Sequence, residues 1–278
     1  MSKGFNIIER FSEDIDLAIS HSFFSIEKTT KSQREKLRKM SRTYIHETLS
    51  TQLDARLKEM GVSGYTIENV SQVQDKNGEW KPIDSDKDPT VILIHYQSIL
   101  EDTINYIPPR VKIEISCLSM DEPTELRQIR SLIGESFDGE DADAESLVRT
   151  VVPTRTFLEK LFLLAEEFQK EKPRSVRMSR HLYDLEKLMD TKYGEEALSN
   201  RKLYDAIVEH RRAYYALKYV NYDLHSPSTI SFTIPESVIG AWQDDYADMR
   251  RFFIYGESMD FDALMHRIRE LQERVRNI

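Results

Sequence analysis

Residues 10–19 read Arg-Phe-Ser-Glu-Asp-Ile-Asp-Leu-Ala-Ile, and they constrain the chain more than any other stretch. Polar and apolar positions alternate from Asp14 onward, which is the period of a β-strand. Successive side chains of a strand point to opposite faces, so Asp14 and Asp16 share one face while Ile15, Leu17 and Ile19 take the other. Two carboxylates on one rigid face suit a hard divalent cation, with coordination positions left for water and phosphate oxygens. The competing reading is a solvated polar strand face. Arg10 and Ser12 have the same parity as the aspartates, which gives one face carrying Arg, Ser, Asp and Asp. A nucleotide phosphate and its metal require that set.

The chain has 278 residues, 40% apolar and 31% charged. That is enough for one large domain or two smaller ones. A net charge of −9 leaves no global basic footprint for nucleic acid, so any RNA contact needs a local patch. The single cysteine, Cys117, excludes an internal disulfide framework and fits a reducing cytosol. Its place in an alternating run, 111–118, makes it a small buried residue and not a nucleophile. No apolar run approaches the ~20 residues that span a bilayer. The N-terminus lacks the apolar stretch of a signal peptide. A cytoplasmic protein without a membrane segment is expected.

Residues 32–60 read as a long helix, with Ser32 and Glu35 as a capping box and Gly61 as its stop. The helix begins with Lys31, Arg34, Lys36, Arg38, Lys39 and Arg42. This is either a solvated face or a contact surface for a polyanion. Residues 64–73 and 90–97 flank the polar turn Lys76-Asn77-Gly78 and read as an antiparallel pair. Residues 110–118 alternate again, Val111, Ile113 and Ile115 against Lys112, Glu114 and Ser116. Glu114 can pair with a Lys or Arg across strands, or join the aspartates as a third carboxylate. The acidic stretch 138–145 reads as an exposed loop and a boundary between domains at 1–145 and 146–278.

From 154 onward the pattern is helical. Phe157, Leu161, Leu164 and Phe168 form an apolar stripe over 154–172, which Pro173 ends. Further helices are expected over 176–189, 200–219, 235–255 and 260–277. Strands first and helices after indicate an α+β fold, a small mixed sheet followed by a helical bundle. Lys160 and Asp184 interrupt otherwise apolar helix patterns. They form either an ion pair between packed helices or a cleft-facing pair, the Lys on phosphate and the Asp orienting or deprotonating an attacking hydroxyl.

Arg-Phe-Ser-Glu-Asp-Ile-Asp-Leu (10–17), Val-Lys-Ile-Glu-Ile-Ser (111–116), Thr-Arg-Thr-Phe-Leu-Glu-Lys-Leu (154–161) and Arg-His-Leu-Tyr-Asp-Leu (180–185) occur in that order. Together they resemble the AbiEii/AbiGii toxin family of nucleotidyltransferases, related to type IV toxin–antitoxin and abortive-infection systems. The tail Asp-Asp-Tyr-Ala-Asp-Met (244–249) also looks familial. The resemblance implies a sheet of nucleotidyltransferase type, with the helical domain completing the active-site cleft. It implies that Asp14 and Asp16 hold Mg2+ at the triphosphate of an NTP and that Glu114 is a third acidic position. Lys160 then touches phosphate, and Asp184 is the acid of the fourth motif. Arg10, Ser12, Arg155 and Arg180 become phosphate or substrate contacts.

In this family a Gly-Gly-Thr/Ser-x-Leu-type loop precedes the aspartate strand and cradles phosphate with backbone amides. Met1-Ser2-Lys3 looks like the last part of that motif, which makes Ser2 and Lys3 nucleotide-binding candidates. Without the glycines the expectation is weakened phosphate binding and impaired transfer. The implied function is metal-dependent transfer of a nucleotidyl group from an NTP to an RNA (tRNA) or protein acceptor, with a cognate antitoxin as partner. The alternative is a degenerate relative that binds nucleotide, antitoxin or RNA without catalysis. A nuclease or phosphodiesterase using the same carboxylates is disfavoured, because the seven histidines are scattered and form no His-Asp metal cluster.

Overall fold

A computed structural model describes residues 1–12, 14–26, 30–75, 77–85, 87–99, 108–118, 123–137 and 145–278. It is a mixed α/β chain dividing into two compact units. One comprises 12–121, the other 1–11 with 122–278.

The chain opens with a one-turn helix, α1 (Ser2–Phe5). The 12–121 unit then begins at β1 (Asp14–Ala18). Helix α2 (Lys31–Thr43) continues through a wider turn at Tyr44–Leu49 into α3 (Ser50–Glu59). Next come β2 (Tyr65–Asn69), the short strands β3 (Gln72–Gln74) and β4 (Trp80–Pro82), β5 (Thr90–Tyr96) and β6 (Arg110–Ser116). The sheet order is β1-β6-β5-β2. β1 runs parallel to β6, and the other pairs are antiparallel.

The helix packs on one face of this sheet through a core of Ile45, Ile92, Ile113 and Ile115, joined by Ile19, Leu49, Leu53, Ile67 and Ile94. Burying each such aliphatic side chain contributes about 1.5–3 kcal/mol. The helix starts two residues before the expected cap. Thr30 accepts from the Gln33 backbone, and Gln33 reaches back to the Thr30 amide. It ends at Gly61, whose φ of 76° is the left-handed turn that glycine permits. The pairing of 64–73 with 90–97 is realised as β2–β5, with Ile67 opposite Ile94. The Asn77-Gly78 turn closes the separate β3–β4 hairpin instead, where the Asp75 carboxylate accepts from the Asn77 amide at 2.8 Å. Cys117 is buried, and burial beside the Asp88 carboxylate pushes its thiol up to about 12.

The second unit adds to α1 the hairpin β7 (Thr124–Arg130) and β8 (Glu145–Val151), with α4 (Leu132–Ser136) after β7. Six helices follow: α5 (Pro153–Glu167), α6 (Ser179–Met189), α7 (Lys192–Ser199), α8 (Arg201–His210), α9 (Ile239–Phe252) and α10 (Phe261–Arg276). Phe157, Leu161 and Leu164 are fully buried, as the α5 stripe predicts, and Phe168 packs its ring against Trp242 at 5.0 Å. Helix α7 was not anticipated.

The boundary expected at 145/146 falls inside β8, which pairs with β7 from Thr124 opposite Val151 to Arg130 opposite Glu145. Most of the acidic stretch, 138–144, lies outside the described residues. The first eleven residues belong with the helices. Arg10 bridges Ile254, and the Phe11 amide donates to the Phe253 carbonyl at 2.7 Å.

Candidate functional site

Two groups of predicted site residues come together, one in each unit. In the sheet, β1 is an edge strand in parallel register with β6, Asp14 beside Lys112 and Asp16 beside Glu114. Register partners point to the same side, so Asp14, Asp16 and Glu114 share one face. That face lies opposite the Ile113/Ile115 face on which the helix packs. Asp14 is half-buried and Asp16 exposed. Glu114 forms an ion pair with Lys112 on its own strand, Nζ to Oε1 at 2.9 Å. The expected cross-strand partner is replaced by this same-strand lysine, and the aspartates lie on the Glu114 face.

Two expectations about this strand fail. Ile15 and Leu17 are 46% and 42% exposed, and only Ile19 reaches the core. An edge strand has one neighbour, and the helix covers the strands further in. Arg10 and Ser12 do not extend the aspartate face either. The strand begins at Asp14, Ser12 is exposed, and Arg10 turns into the helical unit.

Among the described residues, no group of three or more His, Cys, Asp and Glu side chains gathers closely enough to hold a metal by itself. Magnesium does not demand such a cage. It is usually held by one or two carboxylates together with substrate phosphates and water. The donor chemistry of Asp14 and Asp16, two hard oxygen ligands on one strand face, fits that mode.

In the helical unit, Asp184 is fully buried on α6. Arg10 donates to both of its oxygens, Nε to Oδ1 and Nη2 to Oδ2, each at 2.8 Å. Lys160 of α5 approaches Oδ2 at 2.9 Å. Burial alone pushes the Asp184 carboxyl up. Lys160 and Arg10 more than offset this and hold it well below the usual carboxylate range. A carboxylate so engaged stays ionised and keeps no oxygen exposed to solvent, which suits orienting two cations better than accepting a proton. The cluster carries two positive charges for one negative. His181 lies on the same face of α6, three residues before Asp184. Burial drives its imidazole well below its ordinary value, Lys160 and Arg180 push the same way, and it is neutral. The start of α1 belongs to this neighbourhood. Burial lowers the Met1 ammonium, which also feels the charges of Asp184, Lys160 and Arg10.

The remaining candidates are placed elsewhere in this unit. Ser2 Oγ lies 3.4 Å from the Tyr255 hydroxyl, and Lys3 pairs with Glu135 at 2.8 Å. Arg155 is buried and donates to Glu159 at 2.8 Å. Glu159 also receives Arg211, whose guanidinium holds Glu166 through Nε at 2.7 Å and Nη2 at 2.5 Å. Arg155 thus serves an ion network between α5 and the turn that follows α8. Arg180 is half-buried beside His181 and Arg177.

Asp245 carries a structural role that the sequence did not announce. From α9 it accepts the backbone amides of Arg177 and Ser179, at 2.5 and 3.0 Å, and the Ser179 hydroxyl at 2.5 Å. It therefore caps the helix that bears Arg180, His181 and Asp184. The familial look of 244–249 was the signal, but the partner 66 residues away was not in it.

A small mixed sheet in a chain with many helices is consistent with an α+β nucleotidyltransferase fold. A family model described as nucleotidyl transferase AbiEii toxin, type IV toxin–antitoxin system, matches residues 1–267. The chain belongs to that family. No curated protein matches it. The family implies an antitoxin partner. Among the described residues no helix is long and apolar enough to cross a membrane.

Proposed function

We propose that this chain is a magnesium-dependent nucleotidyltransferase toxin of the cytoplasm that moves a nucleotidyl group from an NTP to an RNA (tRNA) or protein hydroxyl. The supporting observation is the shared face of Asp14 and Asp16, with Glu114 in register beside Asp16, in a member of the AbiEii family. In this reading Asp14 and Asp16 would hold the ion, with Glu114 in register beside Asp16 as a further carboxylate. Bound there, the ion would supply charge neutralisation for a triphosphate and polarisation of its phosphoryl oxygens.

Arg10 and Lys160 provide cations for phosphate oxygens. Asp184 is a positioning residue that fixes the guanidinium fork and the ammonium before substrate arrives, so the electrostatic work needs little reorganisation. The acceptor oxygen bonds to the α-phosphorus in line as the bond to the pyrophosphate oxygen breaks. Pyrophosphate leaves, and the acceptor proton passes to water. Most of such a reaction is positioning and electrostatics.

Asp14→Asn removes a metal-binding charge while keeping shape. It should lower labelled-NTP incorporation by about 10²–10³-fold or more, with an unchanged thermal melt. Near-full incorporation in this variant overturns the reading.

A further inference from the structure

Helix α2 breaks a local rule of charge placement. Residues 31–42 hold six basic side chains against one acidic one, a local net charge of +5 in a chain of −9. Its first turn contains no acidic residue, while Lys31 and Arg34 sit at the end where the helix dipole is already positive. Cations so placed are unfavourable. A bound anion would relieve that cost.

The geometry shows where such an anion would sit. Leu37, Ser41 and Ile45 define the buried side of the helix. At about 100° per residue, Lys31, Lys36, Lys39 and Arg42 fall within an arc of about 140° on the outward side. Lys31, Lys36 and Lys39 are exposed, and among the described residues no hydrogen bond or ion pair engages them. Arg42 donates to the Asp84 carbonyl at 2.9 Å, which fixes one edge of the stripe. The stripe runs about 16 Å along the axis, long enough to meet several backbone phosphates. Met40, 37% exposed, is the one large apolar side chain that this helix shows to solvent. A helix that lies in a membrane surface needs a broad apolar face, and here that face is spent on the sheet.

We infer that the outward face of α2 docks the phosphodiester backbone of a folded RNA. The choice of RNA rests on the acceptor reading above, whereas the polyanion surface rests on the helix itself. Contacts of this kind are independent of base sequence and read the spacing of the phosphates along the folded backbone.

The test is fluorescence anisotropy of the full chain with a labelled RNA hairpin, across a salt series. Wild type is compared with Lys31→Gln/Lys36→Gln/Lys39→Gln, after circular dichroism shows the variant folded. Each lysine should contribute roughly 0.7–0.9 to the slope of log affinity against log salt, so the triple variant should lose about 2–3. Its affinity should fall by at least tenfold at low salt. An unchanged slope and affinity overturn the proposal, as does wild type failing to bind the hairpin. Equal lysine-dependent binding of a DNA duplex, or of phosphatidylserine vesicles, overturns the assignment to RNA. Asp14→Asn should bind the hairpin as wild type does. Should Asp14→Asn lose binding while the lysine variant keeps it, the dock is not α2. Lysine-dependent RNA binding without nucleotidyl transfer by wild type would sink the transferase reading and leave this one standing.

Discussion

Lys160→Met separates what the Arg10–Lys160–Asp184 cluster does for stability from what it does for substrate. The ammonium makes one contact with Asp184, 2.9 Å from Oδ2, and its side chain is 15% exposed. Deleting it removes a charge-assisted hydrogen bond of about 1.5–3 kcal/mol. It also removes the desolvation of a buried ammonium, itself several kcal/mol. Arg10 still binds both oxygens of Asp184, and the cluster becomes neutral. The two effects offset, and the net change should stay within about 1–2 kcal/mol, or roughly 5 °C in Tm for a chain of this size.

Asp184→Leu is the contrasting perturbation. It leaves two cations buried with no anion, at a cost of about 3–5 kcal/mol and on the order of 10 °C. Because Asp184 is depressed in the folded state, its contribution is fully present above the unfolded carboxyl value of about 3.9. It is lost as pH falls toward the folded value, so the gap between wild type and Asp184→Leu should be constant from pH 5 to 8 and shrink below about pH 4. Function should follow the opposite order of sensitivity. Saturating Mg-NTP at ~100 Kd should raise wild-type stability by about 2.7 kcal/mol, and Lys160→Met should lose most of that gain despite its near-native melt. Differential scanning fluorimetry with and without Mg-NTP reads all three quantities. If Lys160→Met unfolds as readily as Asp184→Leu, or keeps the full nucleotide-induced shift, then the surplus charge is not held for phosphate.

Asp245→Ala should lose on the order of 2–4 kcal/mol in urea denaturation, the sum of a lost helix cap and buried donors left unpaired; a loss under 0.5 kcal/mol would remove Asp245 from the support of α6. Cys117, with its thiol pushed up to about 12 beneath the sheet, should resist a thiol reagent at pH 8 in the folded protein and react promptly in urea. Labelling of native protein at the rate of a free cysteine would contradict that burial.

What the sequence revealed, and what it did not, follows from how far each interaction reaches along the chain. The parity of Asp14 and Asp16 is local, and so is the alternation around Glu114, so strand identity and shared face could both be read directly. The register that sets Asp16 beside Glu114 depends on a parallel crossover of nearly a hundred residues, which periodicity does not encode. The α5 stripe was legible for the same local reason. Helix α7 was missed because it is only eight residues long and buries only Tyr193, Gly194 and Ala197, too short a stretch for a helical period to stand out.

Lys160 and Asp184 stood out because each interrupts an apolar pattern, and a buried charge must be paired. Their third member was misplaced. Arg10 has the parity of the aspartates, and local logic put it on their strand face. Its actual partner lies 174 residues away, on a helix that needs an anion balanced. The cost of burying this carboxylate is met by Lys160 from α5 together with a guanidinium imported from the start of the chain. Fixing Arg10 in this way ends its strand pairing with the aspartate run, and the chain passes from one unit to the other between Phe11 and Ser12. Two residues that looked like neighbours on one face therefore do different work. Asp14 stays with the sheet as a candidate ligand for a cation, and Arg10 becomes half of a cationic pair preset by Asp184.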